Sequence, residues 1–245
     1  MPKKTLQQPM KSNLAILAIE TSVPEASVAL WVDGAIVYQK DFTSDRNHNS
    51  MIFTPLGEAL AILDEVKLSC VLVGTGPGSY SGARTGIAAG QGVALAHSCP
   101  AVGIGSLAAT SLARAEGDSL AIGNARRGLY FISELTTSGE ASEAELMEAD
   151  EFQTKLAGIC EAKETKLFTL DDPAGSWLEN LKIPAAVEKD QPHASRIIEV
   201  WLGLTEERQD ELKSTPLSPS YLRPPFTSKA KSGHPLLRSP EVSGN

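Results

Sequence analysis

Apolar residues open this chain in short runs rather than in long helical stripes. The run 14–19 stops at Glu20-Thr21-Ser22, a second run follows at 26–32, and Asp33-Gly34 then supplies a type I′ turn into a third run at 35–42. Three strands in a meander are predicted. A polar loop with Arg46, Asn47 and His48 leads to a helix over about 50–63, in which Pro55 fits only near the first turn. The compact apolar run 70–73 reads as a buried strand, and Gly74, Gly76, Pro77 and Gly78 break the chain directly after it. A helix over 82–97 follows, with Ser79 or Ser81 available as its cap. A short strand at 101–104 and a helix at 106–115 complete the first half. Strands that form a meander and then alternate with helices imply an α/β fold with a mixed sheet and helices on its faces.

The pattern restarts near Glu116-Gly117-Asp118. Runs at 120–122 and 129–135 flank Asn124-Ala125-Arg126-Arg127-Gly128 and predict a hairpin that begins a second, smaller lobe. Between Glu140 and Glu151 lie six acids and no base, which reads as a solvated loop or helix face rather than a metal site. A strand is predicted at 166–170 and helices at 174–181, 193–204 and 206–213. The expected organisation is a flexible leader at 1–12, a first lobe at 13–117, a second at 118–215, a segment at 216–223 returning to the first lobe, and a disordered tail at 224–245. That tail holds four prolines and little periodicity.

The glycine-rich turn at 74–78 has two physical uses. Its glycines allow exposed N–H groups to hold an anion at a helix start, or they serve a sharp strand-to-helix turn. The segment has no lysine for a P-loop, and its glycine spacing does not complete the dinucleotide fingerprint. Possible anion or nucleotide contacts are Thr21, Ser22, Gly76, Gly78, Ser79 and Arg84. The helix that follows carries Gly82, Gly86 and Gly90 four apart, with Ala94 continuing the row. Each interior glycine costs roughly 1 kcal/mol against alanine, so close packing of this face is the natural compensation. Spacing alone leaves open whether the surface it packs on is in the same chain or in a partner.

Composition narrows the class. Hydrophobic residues make up 42% and charged residues 21%, as in globular proteins, and no apolar stretch approaches the ~20 residues of a membrane span. The lysine-bearing start lacks the apolar core of a secretory signal, and Cys70, Cys99 and Cys160 form no Cys-x-x-Cys pair; a reduced, cytoplasmic setting is expected. A net charge of −8 disfavours gripping nucleic acid through the general field, so any RNA contact has to be local or borrowed from a partner. Of the four histidines, His48, His97, His193 and His234, none has another within helical reach. No catalytic or metal-binding set is predicted. Glu20 at the end of the first strand could hold a metal-bound phosphate, but Val23-Pro24 favours a plain turn. Arg126 and Arg127 could bind a carboxylate or phosphate, although arginines in hairpin turns are usually solvated.

These segments resemble the bacterial TsaB (YeaZ-like) family, the non-catalytic partner of TsaD in tRNA threonylcarbamoyladenosine synthesis. The resemblance covers most of 14–223 and rests on LAIETSVPEASVAL, GTGPGSYSGARTGIAAGQGVALA, NARRGLYF and PSYLR, with Ser79 and Arg84 in its most specific stretch. It implies an actin-like, sugar-kinase-like (ribonuclease H-like) fold of two lobes with mixed sheets, the second reduced. His48 matches a single histidine of that loop, and Ile52 stands where the catalytic paralogue has a second histidine. Also implied are heterodimer contact with TsaD through helices of the first lobe, recruitment of the ATPase TsaE, a homodimer when alone, and tRNA contact only through the complex. No cofactor is required by this chain, though ATP or ADP at a complex interface is allowed. Gly82, Gly86, Gly90 and Ala94 suit that interface, and on this view Gly86→Leu abolishes capture of TsaD with the fold intact. The competing readings are an independent phosphotransferase or metallopeptidase-like enzyme using Glu20, Thr21 and the Gly76 loop, and a nucleotide-sensing module.

Overall fold

The computed structural model describes residues 14–43, 49–64, 66–115, 117–136 and 141–223. His48, the leader and the tail therefore lie outside the described residues.

The opening meander forms β1 (Leu14–Glu20), β2 (Glu25–Val32) and β3 (Ala35–Thr43), antiparallel in sequence. Asp33 and Gly34 both have positive φ, 46° and 100°, as a type I′ turn requires. A 3₁₀ turn at Asn49–Ile52 enters α1 (Phe53–Leu63), with Pro55 in the first turn, where its missing N–H costs nothing. Strand β4 (Lys67–Gly74) pairs parallel with β1, α2 spans Tyr80–Ala96, and β5 (Ala101–Ile104) pairs parallel with β4. The first sheet thus has the order β3-β2-β1-β4-β5.

The second sheet repeats this plan. Strands β6 (Asp118–Asn124), β7 (Leu129–Leu135) and β8 (Glu145–Glu148) form an antiparallel meander; after α3 (Ala149–Ala162), β9 (Thr165–Thr169) and β10 (Val187–Lys189) add in parallel. Read from the meander end, its order is β8-β7-β6-β9-β10, strand for strand that of the first. Two lobes of one topology, each with a mixed five-stranded sheet and helices, make up the expected actin-like α/β fold. The second lobe is reduced because its second crossover, residues 170–186, contains only turns. The predicted helix at 174–181 is absent: Asp172 takes the Ala174 and Gly175 amides through its side chain and carbonyl, and the turn hydrogen bonds after it stop at Leu181.

The helix expected at 106–115 is also broken, into 3₁₀ turns at Ser106–Ala109 and Leu112–Arg114. The Thr110 hydroxyl accepts from the Ala113 amide, and the Asp190 carboxylate takes the Leu112 amide, so both side chains divert groups that a helix would use. This segment puts Leu107 and Ala113 against Ala121, Phe131 and Phe168 and covers the face of the second sheet opposite α3. Helix α3, read from sequence only as an acidic loop or helix face, packs Phe152 and Leu156 on Leu120, Ile122 and Ile132.

The domain boundary at 215 needs correction. Helix α4 (Ala194–Gly203) places Ala194, Ile197, Ile198 and Trp201, one face at helical spacing, on Ile16, Ala18 and Ala29 of the first sheet. With α5 (Glu206–Ser214) it covers the face opposite α1 and α2, so the chain has returned to the first lobe by about residue 193, where His193 caps α4. Among the described residues no helix is long and apolar enough to cross a membrane.

Candidate functional site

The end of β1 is buried. The Glu20 carboxylate has no exposure; the Ser22 amide donates to its Oε1 at 2.6 Å and the Ser106 hydroxyl to its Oε2 at 2.7 Å. Ser106 is a hub, because it also accepts from the Gly76 amide at 2.9 Å and the Ser22 hydroxyl at 3.1 Å. Burial pushes the Glu20 carboxyl above the usual carboxylate range, against the opposing hydrogen bonds from Ser22 and Ser106. Gly74 lies directly on this carboxylate: a Cβ there would sit 1.9 Å from Oε2. Glu20 is a structural pin beneath the turn. Ser106 was missed in sequence as a helix residue, and no local signal marks it.

The glycine-rich turn is folded against β1 and its own backbone. A Cβ on Gly78 would stand 2.2 Å from the Ser22 carbonyl oxygen, which accepts from the Ser79 amide at 2.5 Å. The Ser79 hydroxyl accepts from the Gly82 amide at 3.2 Å and so is the N-cap of α2. The amides of Gly76, Ser79 and Gly82 are thus spent inside the chain. Thr21 is buried and its hydroxyl donates to the Gly82 carbonyl at 2.8 Å; with Gly76 it faces inward, which corrects both as anion contacts.

The small-residue row of α2 also turns inward. A Cβ would come within 2.0 Å of the Thr21 carbonyl oxygen at Gly82, 2.3 Å of Thr21 Oγ1 at Gly86 and 2.5 Å of Val73 Cγ2 at Gly90, and Ala94 is buried in the same core. The row packs on the sheet of its own lobe, so these four residues are not an exposed partner surface. Gly86→Leu would disrupt the fold. The opposite face of α2 is different: Ala88, Gln91, Gly92 and Ala96 are exposed, Leu95 is 83% exposed, and a Cβ on Gly92 would meet open space. On α1, which flanks the same sheet face, Phe53 is 64% exposed and Ile62 46%, and Gly57 likewise opens on empty space.

Ser22, Gly78 and Ser79 line a cleft of about 750 Å³ between the lobes. Its far wall is the turn Asn124–Arg126 with Asp171, and its rim is the segment 220–223. That segment is held on the first lobe: the Ser220 amide donates to the Thr75 carbonyl at 2.8 Å, and Tyr221 stacks on Tyr80 with ring centroids 4.9 Å apart. Arg84 joins the stack, its guanidinium carbon 4.4 Å from the Tyr80 centroid and its Nε donating to the Tyr221 hydroxyl at 2.7 Å. Arg84 therefore sits beside the cleft, held by aromatic rings. Arg223 crosses to the second lobe and donates through Nη1 to the carbonyls of Ala125 and Arg126 at 3.1 and 2.7 Å. In the sequence, PSYLR shows as a pattern, but nothing in it shows where the tyrosine and arginine dock.

The cysteines are not poised as nucleophiles. Burial pushes the Cys70 thiol up to about 12, and it raises Cys99 and Cys160 as well.

A family model described as TsaD, tRNA N6-adenosine threonylcarbamoyltransferase, matches residues 42–174, more than half of the chain. Two curated relatives are each described as tRNA threonylcarbamoyladenosine biosynthesis protein TsaB. The one from Escherichia coli is 33% identical over 96 residues, 38% of this chain and 41% of the relative; that from Haemophilus influenzae is 32% identical over 126 residues, 49% of this chain and 53% of the relative. The chain thus spans about half the length of these relatives. The solved structure of YeaZ from Pseudomonas aeruginosa superposes with a TM-score of 0.63 at 21% identity, covering 85% of this chain and 99% of that one. A second structure from that organism, described as an uncharacterized protein with similarity to peptidase YEAZ, gives 0.65 at 21% identity and the same coverage. These two structural likenesses support the fold.

Proposed function

The chain belongs to the family of that TsaD model and to its TsaB (YeaZ-like) branch, and from this premise we propose that it is the non-catalytic docking subunit of a tRNA threonylcarbamoyladenosine-synthesising complex. It binds and positions a TsaD-like subunit, which performs the transfer, and a TsaE-like ATPase completes the assembly. The observation that carries this reading is the outward face of α1 and α2. Apolar and side-chain-poor residues there, Leu95, Gly92, Ala88, Phe53 and Gly57, are exposed or open to empty space, and Gly92 costs helix propensity although, among the described residues, nothing lies within 4 Å of where its Cβ would stand. Small residues let a second helix approach closely, and a TsaD-like occupant related to this chain through the same family model is expected to present helices of its own to that face. The withdrawal of Glu20 beneath Gly74 and Ser106 favours this over an independent phosphotransferase, since a metal-bound phosphate in the cleft cannot reach a carboxylate packed under the floor.

The test is co-purification of the full chain with the TsaD-like subunit. Leu95→Arg is expected to weaken capture at least tenfold with an unchanged melting temperature, because Leu95 makes little contact within the chain. Undiminished capture overturns the surface assignment, and a variant that disrupts only self-association assigns the face to a homodimer.

A further inference from the structure

We infer that the interlobe cleft is an RNA-contact site of this subunit, taking a base and its adjoining phosphate from a single-stranded segment at the Arg126 turn and the Tyr80–Arg84–Tyr221 stack. The first observation is backbone conformation. Arg126 and Arg127 both lie in the left-handed region, φ 67° and 55°, followed by Gly128 at 76°. Such geometry costs a non-glycine residue on the order of 1–3 kcal/mol, and hairpin turns meet it cheaply with Asn-Gly or Gly-Gly. Here the cost is borne by two arginines. The turn is braced to keep them there: the Asn124 side chain accepts from the Arg126 amide at 2.7 Å, and Arg223 ties the carbonyls of Ala125 and Arg126 to the first lobe. Arg126 lines the cleft and its side chain is exposed.

The second observation lies on the rim. Tyr80 is 49% exposed although it stacks on Tyr221 and carries Arg84, so planar groups stand at the mouth where an incoming base can extend the stack. Ser79 lines the same cleft as Arg126. A cleft of about 750 Å³ is in the range that holds a nucleotide-sized group. Asp171 also lines it and is the negative charge that a phosphate has to avoid. In a chain of net charge −8 these cations form a local site rather than a general field, which is what a placed phosphate contact requires. A free mononucleotide offers the same base and phosphate. The exposed, rim-mounted stack favours a base presented from outside by a strand.

This inference rests on the reading above for its source of RNA, but its test is separable. Affinity for a tRNA transcript is measured by fluorescence anisotropy at two salt concentrations, with the full chain alone and mixed with the TsaD-like subunit. The variant is Arg126→Gly, because glycine occupies a left-handed turn without strain and the fold is expected to gain rather than lose stability. The expected result is at least fivefold weaker RNA binding in whichever sample binds, a salt slope shallower by about one counterion, and unaltered capture of the partner. Unchanged RNA affinity, no RNA binding in either sample, or displacement of the RNA by equimolar ATP overturns the inference; the last assigns the cleft to a free nucleotide. Loss of partner capture by the unsubstituted chain, with Arg126-dependent RNA binding intact, sinks the docking reading alone.

Discussion

At the scale of single residues, Glu20 is held by atoms that leave it no chemical freedom. Its two oxygens take the Ser22 amide and the Ser106 hydroxyl, and Gly74 seals it from above. Burial raises its folded-state pKa above the ordinary 4.5. The carboxyl then favours folding most when it is protonated, so its contribution is fully present below the unfolded value and is lost as pH rises through the folded one. Glu20→Gln keeps the shape and removes the titration. Urea unfolding from about pH 5 to 8 is expected to show the natural chain losing stability relative to this variant as pH rises; parallel curves would remove the charge from the account. A glutamate at the end of a first strand reads in sequence as a metal-ligand candidate. Full burial and the hydrogen bond from Ser106, 86 residues away, decide otherwise, and that partner is not legible locally.

At the scale of elements, α2 has two faces with opposite requirements, and two glycine substitutions separate them. Gly82→Ala places a methyl 2.0 Å from the Thr21 carbonyl oxygen, backbone that cannot swing aside, and is expected to destabilise the fold by about 1–3 kcal/mol. Gly92→Ala enters open space and is expected to stabilise it by about 0.5–1 kcal/mol through helix propensity. Chemical denaturation of the two variants checks both signs, and a loss at Gly92 would mean that this face is already packed. The four-residue spacing made a bare helix face readable from sequence, but spacing carries no information about direction, and the sheet of the same chain turned out to be what the face meets. Strands β1 to β5 and the Asp33-Gly34 turn were legible because each rests on a short apolar run or a turn dipeptide. The expected helices at 106–115 and 174–181 failed where Thr110, Asp190 and Asp172 capture backbone amides, which apolar periodicity does not register.

At the scale of the whole molecule, one topology appears twice and the copies have diverged. The first lobe keeps both crossover helices and is covered on its other face by α4 and α5; the second has lost its later crossover helix. The segment 220–223 ties the two lobes together, since Tyr221 anchors on α2 and Arg223 on the β6–β7 turn. What such a frame offers outward is a helix face with little side chain and a cleft edged by arginine and tyrosine, while its buried carboxylate is locked away. The central claim is that the reactive groups belong to a neighbour and that this chain makes that neighbour competent. The most direct measurement is threonylcarbamoyl incorporation into tRNA by three samples: this chain alone, a TsaD-like subunit with its other components, and the full mixture. Incorporation only in the full mixture, and its loss with Leu95→Arg, is the predicted result; incorporation by this chain alone would contradict it.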